Sequence, residues 1–207
     1  SRGVKVRFWG DYALFSRPEM KVERCSYDVI TPSAARGMLE ANTAPGHEGI
    51  IDKIYVRSPI QFTSVRRNEV KSKISGSNVL NVMNGGDKAL YLCSREEIAQ
   101  RAAILLKDVD YIIEATFEMT NQANAGDNSG KFKDIIVRRL KRESAINTPY
   151  FGCREFPAKF ELYINEEVQT AYPEEDKDLG YMLYDFDYSN QEISSLCFSE
   201  LVYAKGF

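Results

Sequence analysis

The order in which strand-like and helix-like segments follow one another constrains the fold of this chain more than any single motif does. The segment VKVRFWGDYALF alternates apolar and polar residues up to a glycine, which predicts a β-strand that ends in a turn. TPSAARGMLEAN predicts the first helix, capped by Thr31 or Ser33 and with a proline in its first turn. IIDKIYVRSPIQFTSV then predicts an extended, β-rich run that a proline interrupts.

The next segments add a strand, a helix and a strand. Ala102 to Met119 predicts the longest strand, GKFKDIIVRRLKR predicts a helix from Gly130 capped by Asp127, Asn128 or Ser129, and CREFPAKFELYI predicts a further strand. This βαββαβ order is that of the α+β ferredoxin-like fold, which is also the RNA-recognition (RRM-like) fold. Two or three later strands lead us to expect a ferredoxin-like domain over residues 1–165 and a small antiparallel β domain over residues 166–207.

The charge is unevenly distributed, although the formal net charge is only -3. Basic residues crowd between residues 5 and 24, between 66 and 73 and between 131 and 142, whereas acidic residues concentrate near the C-terminal end. This distribution predicts a polyanion as the partner on one side and proteins as partners on another.

The cysteines and the single histidine argue against a metal site. Cys25, Cys93, Cys153 and Cys197 form no Cys-x-x-Cys pair, so neither a structural zinc site nor a disulfide framework is indicated. We therefore expect no metal and no other cofactor. No window approaches the roughly 20 apolar residues of a membrane span, which predicts a soluble, cytoplasmic protein without a membrane partner.

The predicted second helix carries six Lys or Arg residues and one acid among thirteen residues, from Gly130 to Arg142. At helical period its apolar residues share one stripe, and the basic side chains, among them Lys131, Arg138 and Arg139, lie at the edges and on the back. Two interpretations stay open. The basic face is either a solvated surface or a surface that binds phosphates.

Several long motifs in the same order resemble the subtype I-C (Dvulg) members of the fifth family of CRISPR-associated proteins, within the RAMP superfamily. These motifs are FWGDYALFSRPEMKVERCSYDVITPSAARGMLEA, RRNEVKSKI, QRAAILLKDVDYIIEATFEMT, DNSGKFKDI and PYFGCREFPAKFEL. The resemblance covers most of the chain, from Val4 to the DLGYMLYD segment. It implies a ferredoxin-like N-terminal domain, a small C-terminal β domain and a role in antiviral CRISPR interference.

The resemblance also implies the partners and the chemistry. Members of the family bind the 5′ handle of CRISPR RNA (crRNA) within the I-C Cascade complex, so other Cascade subunits are expected partners, and target double-stranded DNA is a further candidate partner. They also cut the precursor (pre-crRNA) as metal-independent endoribonucleases: the ribose 2′-OH attacks the neighbouring phosphate and leaves a 2′,3′-cyclic phosphate. Such a cut requires a base, an acid and a cation near the phosphate.

The family's catalytic residues are only partly present. The resemblance places its Lys on Lys131, its His on Phe132 and its Tyr near Thr43, in the loop NTAPGHEG. Neither Phe nor Thr is an acid–base group near neutral pH. His47 lies in the same loop, either as a partial replacement that reaches the scissile phosphate or as a solvent-exposed loop residue. We therefore expect a crRNA-handle-binding Cascade subunit with weakened cleavage. The alternatives are a fully active pre-crRNA endoribonuclease and a purely structural subunit that contacts protein and target DNA.

The remaining RNA-binding candidates fall into three groups. Near the first strand, Tyr12 and Phe15 are candidates for base stacking, while Phe8 is equally a core residue. In the polar stretch after the second strand, the basic residues either bind the handle or lie in a solvated loop. Gly152 allows close backbone approach, and Arg154 after it either binds phosphate through its guanidinium or forms a surface hairpin feature with Glu155. The basic candidates of these groups are Arg7, Arg17, Lys21 and Arg24; Arg66, Arg67 and Lys71; and Arg154.

Overall fold

The computed structural model describes residues 3–20, 22–41, 47–121, 123, 126–142, 147–165, 167–173, 177–187 and 195–203. Within these ranges the fold is mixed α+β. The strands are β1 (Val4–Ala13), β2 (Arg24–Cys25), β3 (His47–Val56), β4 (Phe62–Val70), β5 (Ile98–Met119), β6 (Lys159–Leu162), β7 (Lys177–Asp187) and β8 (Ser195–Tyr203). The helices are α1 (Pro32–Glu40), α2 (Gly76–Met83) and α3 (Ser129–Lys141).

The 22-residue strand β5 organises the main sheet. On one side it pairs antiparallel with β1, which in turn pairs antiparallel with β6, and briefly parallel with β2. On the other side its first half pairs with β4 and its second half with β3, both antiparallel. The change of partner falls near Asp108, whose φ of 52° lies in the left-handed region that Asp tolerates better than most residues.

Alternation along β1 separates the two faces of the sheet. Val6 and Phe8 are fully buried, whereas Arg7 between them is half-buried on the opposite face. The inward residues form one hydrophobic cluster with residues of both α1 and α3, among them Leu39 and Ile136. Both helices therefore cover the same face, and the predicted apolar stripe of the basic helix is confirmed at Ile136.

The caps of the two predicted helices resolve alternatives that the sequence left open. Thr31 caps α1, accepting a hydrogen bond from the backbone N–H of Ala34 at 3.3 Å. Asn128 caps α3, accepting from the backbone N–H of Lys131 at 2.9 Å. Each cap satisfies one of the backbone donors that a helix start leaves free, so these side chains fix where the helices begin.

A two-stranded arm and a helix were not predicted. β4 and the first half of β5 form a ribbon, and α2 follows β4 with an Asn at its C-cap. The alternative interpretation, in which Arg66 and Arg67 lie in a solvated loop after the strand, is wrong, because both residues belong to β4 and pair across to β5. Backbone pairing with β5 extends the strand into this polar sequence.

The C-terminal strands β7 and β8 pair with each other in a separate two-stranded antiparallel sheet. Met182 and Leu183 of β7 are buried in the main hydrophobic cluster, and Asp185 of β7 binds both terminal nitrogens of Arg36 on α1. Apolar packing and an ion pair thus attach this sheet to the first helix. No helix in the described ranges is long and apolar enough to cross a membrane.

Candidate RNA interface

Helix α3 presents the basic segment with its two faces separated. Ile136 and Leu140 are buried, while Arg138, Lys141 and Arg142 are exposed. Arg138, Arg139 and Lys141 lie in the last turn, where cations also interact favourably with the helix dipole. The exposed basic end therefore stabilises the helix and also offers positive charge to a polyanion.

The predicted catalytic lysine lies at the opposite end of the same helix. The Lys131 ammonium is 2.5 Å from the carboxylate of Asp127, and the Lys131 side chain is 54% exposed. With a rise of about 1.5 Å per residue, Lys131 and Arg138 are about 10 Å apart along the helix axis. A phosphate backbone, with its closely spaced charges, can span that distance.

Three of the candidate site residues named from the sequence lie wholly or partly outside the described structure. Thr43 and Lys21 lie outside the described residues, and for Phe132 only the backbone, within α3, is described. The inference that positions 43 and 132 lack an acid–base group therefore rests on the sequence and the resemblance alone.

The structure corrects the expectation that His47 is a solvent-exposed loop residue. His47 begins β3 opposite Met119, is 8% exposed, and packs edge-on against Phe117 with ring centroids 5.7 Å apart. The strand starts earlier than its apolar residues indicate, and alternation turns His47 inward while Glu48 faces out. Packing holds the imidazole in the interior, which argues against its acting on a bound phosphate.

Among the described basic candidates near β1, Arg7, Arg17 and Arg24 have carboxylate partners. Arg7 donates to both oxygens of Asp110, at 3.1 and 2.9 Å, and the guanidinium lies 4.7 Å from the Trp9 ring centroid. The bond to Asp110 raises the pKa of Arg7 above its ordinary value. Arg17 is 3.3 Å from Asp28, and Arg24 is 3.2 Å from Glu69. These ion pairs partly neutralise the positive charges of arginines that the sequence predicts to bind RNA.

The aromatic candidates for base stacking differ in their exposure. The prediction that Phe15 stacks on RNA is wrong, because Phe15 is 3% exposed and packs edge-on against Phe151. Phe8 is likewise in the core. Tyr12 is 40% exposed, with its ring 6.2 Å from that of Phe156. Its accessible face remains compatible with base stacking.

The two arginines of β4 point to opposite faces of the ribbon. Arg67 is half-buried, pairs with Glu155 and lies 4.9 Å from the Phe156 ring centroid, so it ties β4 to the glycine turn. Arg66 and Lys71 are exposed. Of the three basic candidates named here, Arg66 and Lys71 therefore lie on an open surface and Arg67 does not.

A cleft of about 920 Å³ lies between α1 and the segment 147–157. Tyr150 and Arg154 line it from the glycine turn, and Arg36 and Asp185 line it as an ion pair. Glu40 lies at its edge, where burial raises the pKa of the carboxyl group and the charge of Arg36 partly opposes that effect. The cleft offers an exposed aromatic ring and an exposed guanidinium beside hydrogen-bonding groups.

The glycine turn holds these cleft residues in place. Gly152 has a φ of +80°, and a Cβ at this position would lie 1.9 Å from the backbone oxygen of Leu14. The predicted close backbone approach is therefore confirmed. Leu14 donates its backbone N–H to the oxygen of Phe151 at 3.1 Å, and Phe151 is fully buried. The turn is anchored against the end of β1, and Arg154 follows it on the surface.

Residues 3–196 match the family model described as "CRISPR-associated protein (Cas_Cas5)", of the Cas5d type. The chain belongs to the Cas5d family of CRISPR-associated proteins. The resemblance inferred from the sequence motifs to the subtype I-C branch of this family is thereby confirmed. A match over nearly the whole chain also includes the basic helix and the glycine turn.

Two relatives and one solved structure illustrate the match. A protein of Mannheimia succiniciproducens named "CRISPR pre-crRNA endoribonuclease Cas5d" is 47% identical, covering 90% of this chain and 86% of the relative. A protein of Thermus thermophilus with the same name is 40% identical, covering 88% and 72%. A solved structure titled "Crystal Structure of CRISPR-associated Protein" has a TM-score of 0.69 at 22% identity, covering 98% of this chain and 88% of that chain. It shows a shared fold.

Sequence reasoning missed the ion pair between Asp127 and Lys131 and the cleft beside Tyr150. The ion pair had a weak signal in the sequence, since an acid four residues before a lysine at a helix start is a known pairing pattern. The cleft had no signal in the sequence, because residues from α1, the glycine turn and β7 meet there only through the tertiary fold.

Proposed function

We propose that this Cas5d-family chain binds the 5′ handle of CRISPR RNA as a subunit of a Cascade complex. The observation that carries the proposal is the 47% identity, across most of both chains, to a protein named as a pre-crRNA endoribonuclease. The exposed basic end of α3 supports it, because Arg138 and Lys141 lie on the solvent side of a helix whose other face is buried. Handle RNA, other Cascade subunits and target double-stranded DNA are the proposed partners.

The proposed chemistry is metal-independent cleavage that is weakened in this chain. Lys131, more than half exposed at the start of α3, supplies a cation that stabilises negative charge on the phosphorane. Phe132 and Thr43 supply no proton transfer, and each general acid or base is worth about 10²–10⁴-fold in rate. With Lys131 alone, the chain would cut the precursor RNA slowly. A fully active enzyme that uses His47 is a weaker alternative, because the imidazole is packed on Phe117.

RNA contacts are proposed at three exposed places: the basic end of α3, the outer face of the ribbon at Arg66 and Lys71, and the cleft at Arg154. Tyr150 in the cleft and Tyr12 near the glycine turn offer rings for unstacked bases. Arg7, Arg17, Arg24 and Arg67 contribute less in this proposal, because their guanidinium groups already bind carboxylates.

We also propose the ferredoxin-like arrangement for residues 1–165 and a separate small β domain for residues 166–207. Support comes from the strand order β6-β1-β5-β3, antiparallel throughout, together with the connections of β1 to β3 through α1 and of β5 to β6 through α3. In this scheme β4 and α2 form an insertion between two strands of the domain. Arg36 and Asp185 connect the two proposed domains.

Reversing Arg138 and Arg139 to Glu together should weaken binding of handle RNA by about tenfold or more, because two cations that face phosphates become anions. The slope of log affinity against log salt should also become shallower by about one to two units. Fluorescence anisotropy over a salt series measures both quantities.

The matched control reverses Lys88 and Arg95, two exposed basic residues between α2 and β5, and makes the same change in net charge. If this control weakens binding as much as the α3 reversal does, the effect reflects net charge alone. If the α3 reversal changes neither affinity nor slope, the basic face of α3 is a solvated surface.

A further inference from the structure

The two residues that precede α3 both bind Lys131. Asn128 accepts a hydrogen bond from the Lys131 backbone N–H at 2.9 Å, and Asp127 binds the Lys131 ammonium at 2.5 Å. Lys131 is therefore held at its backbone and at the end of its side chain by two consecutive residues. Its ammonium is fixed beside the start of the helix.

The two partners differ in exposure. The Asp127 side chain is 5% exposed and the Lys131 side chain 54%. A nearly buried carboxylate has a defined position, whereas a free lysine side chain samples many rotamers. The ion pair therefore fixes the position of the Lys131 ammonium, which solvent or a phosphate can still reach.

We propose that Asp127 is a positioning residue for cleavage: it holds the Lys131 ammonium at the N-terminal end of α3, where that ammonium meets the reacting phosphate. The inference rests on the proposed function, in which Lys131 stabilises the phosphorane. An ammonium has three N–H donors, so a bond to Asp127 leaves two for phosphate oxygens. Electrostatic stabilisation is most effective when the charge is in place before the reaction.

A purely structural role for Asp127 leads to different results. An acid at a helix start stabilises the helix through the helix dipole. Its loss would then lower stability without separating RNA binding from cleavage. In the positioning role, removing the carboxylate slows cleavage while affinity stays the same or rises, because the RNA-binding protein loses one negative charge.

The test replaces Asp127 with Asn, with Asp134→Asn as the matched control. Asp134 is an exposed acid within α3, whereas Asp127 lies just before the helix, so each variant removes one negative charge at or beside α3. Under single-turnover conditions in EDTA, Asp127→Asn should cut repeat RNA about tenfold more slowly, with unchanged or tighter binding, and Asp127→Glu should recover part of the rate. Asp134→Asn should cut as the parent does. Equal rates for Asp127→Asn and Asp134→Asn, or equal losses of rate and affinity in Asp127→Asn, would overturn the proposal.

A second readout separates this inference from the proposed function. Acylation of Lys131 by an N-hydroxysuccinimide ester, followed by mass spectrometry, should be several-fold faster in Asp127→Asn, because the bound ammonium must leave the carboxylate before it reacts. If labelling is unchanged while Lys131→Ala slows cleavage, the positioning role fails and the proposed chemistry stands. If labelling accelerates but Lys131→Ala leaves cleavage unaffected, the ion pair exists but the catalytic assignment of Lys131 is wrong, and with it the positioning role.

Discussion

Replacing Gly152 by alanine is expected to lower the free energy of unfolding by about 3 kcal/mol or more. Its φ of +80° is unfavourable for alanine, and the new Cβ would lie 1.9 Å from the Leu14 backbone oxygen. Relieving that contact requires movement of the turn whose Phe151 is fully buried. For a chain of this length the melting temperature should fall by about 6–12 °C. Thermal and denaturant unfolding measure the change.

Gly37→Ala is the matched control. Gly37 lies inside α1, and nothing lies within 4 Å of the Cβ position there. Alanine in a helix should leave stability unchanged or raise it by about 0.5–1 kcal/mol. An unfolding midpoint for Gly152→Ala equal to that of the parent would show that the turn does not require this backbone conformation.

Introducing the acid–base groups that the family resemblance places near position 43 and at position 132 is expected to accelerate cleavage by about a hundredfold or more. The variant combines Phe132→His with an aromatic, lysine-bearing loop in place of the segment from Thr43 onward. Lys131 already offers an exposed ammonium beside position 132, so the new imidazole would work next to an existing cation. Single-turnover cutting of the cognate repeat RNA in EDTA measures the rate, and the product should carry a 2′,3′-cyclic phosphate.

Phe132→Ala combined with the same loop is the control, because it keeps the loop and changes the side chain at position 132 without adding a proton-transfer group there. It should show no comparable gain. Equal rates for the histidine and alanine variants would mean that position 132 does not take part in the chemistry, and catalytic groups would then be sought elsewhere, beginning with Tyr150 in the cleft.

Local patterns predicted the elements whose signals are contained in a short stretch. The alternation in β1, the cap of α1 at Thr31 and the apolar stripe of α3 all depend on neighbouring residues, and all three are present in the structure. The close approach at Gly152 was also predictable, because a glycine in a turn lacks the Cβ that would prevent close backbone contact. Helix α2 was missed: it is only eight residues long, and its N-cap Ser75 makes no side-chain capping bond.

The environments of the candidate site residues depended on contacts between distant parts of the chain. The partner of Arg7 is Asp110, more than one hundred residues away, so the sequence could not show that this guanidinium is partly neutralised. His47 was read as a loop residue because proline and glycine surround it, but pairing with β5 extends β3 through that position. Phe15 follows a predicted turn and yet packs in the core, since the chain after β1 folds inward.

The most direct test of the account is incubation of the purified chain and of its Lys131→Ala variant with labelled cognate repeat RNA in EDTA, scored for bound and for cut RNA in the same samples. We expect the chain to bind the RNA and to cut it slowly without metal, and Lys131→Ala to bind similarly but cut more slowly still. Failure of the chain to bind repeat RNA would contradict the proposed function. Rapid cutting that Lys131→Ala leaves unchanged would contradict the proposed site.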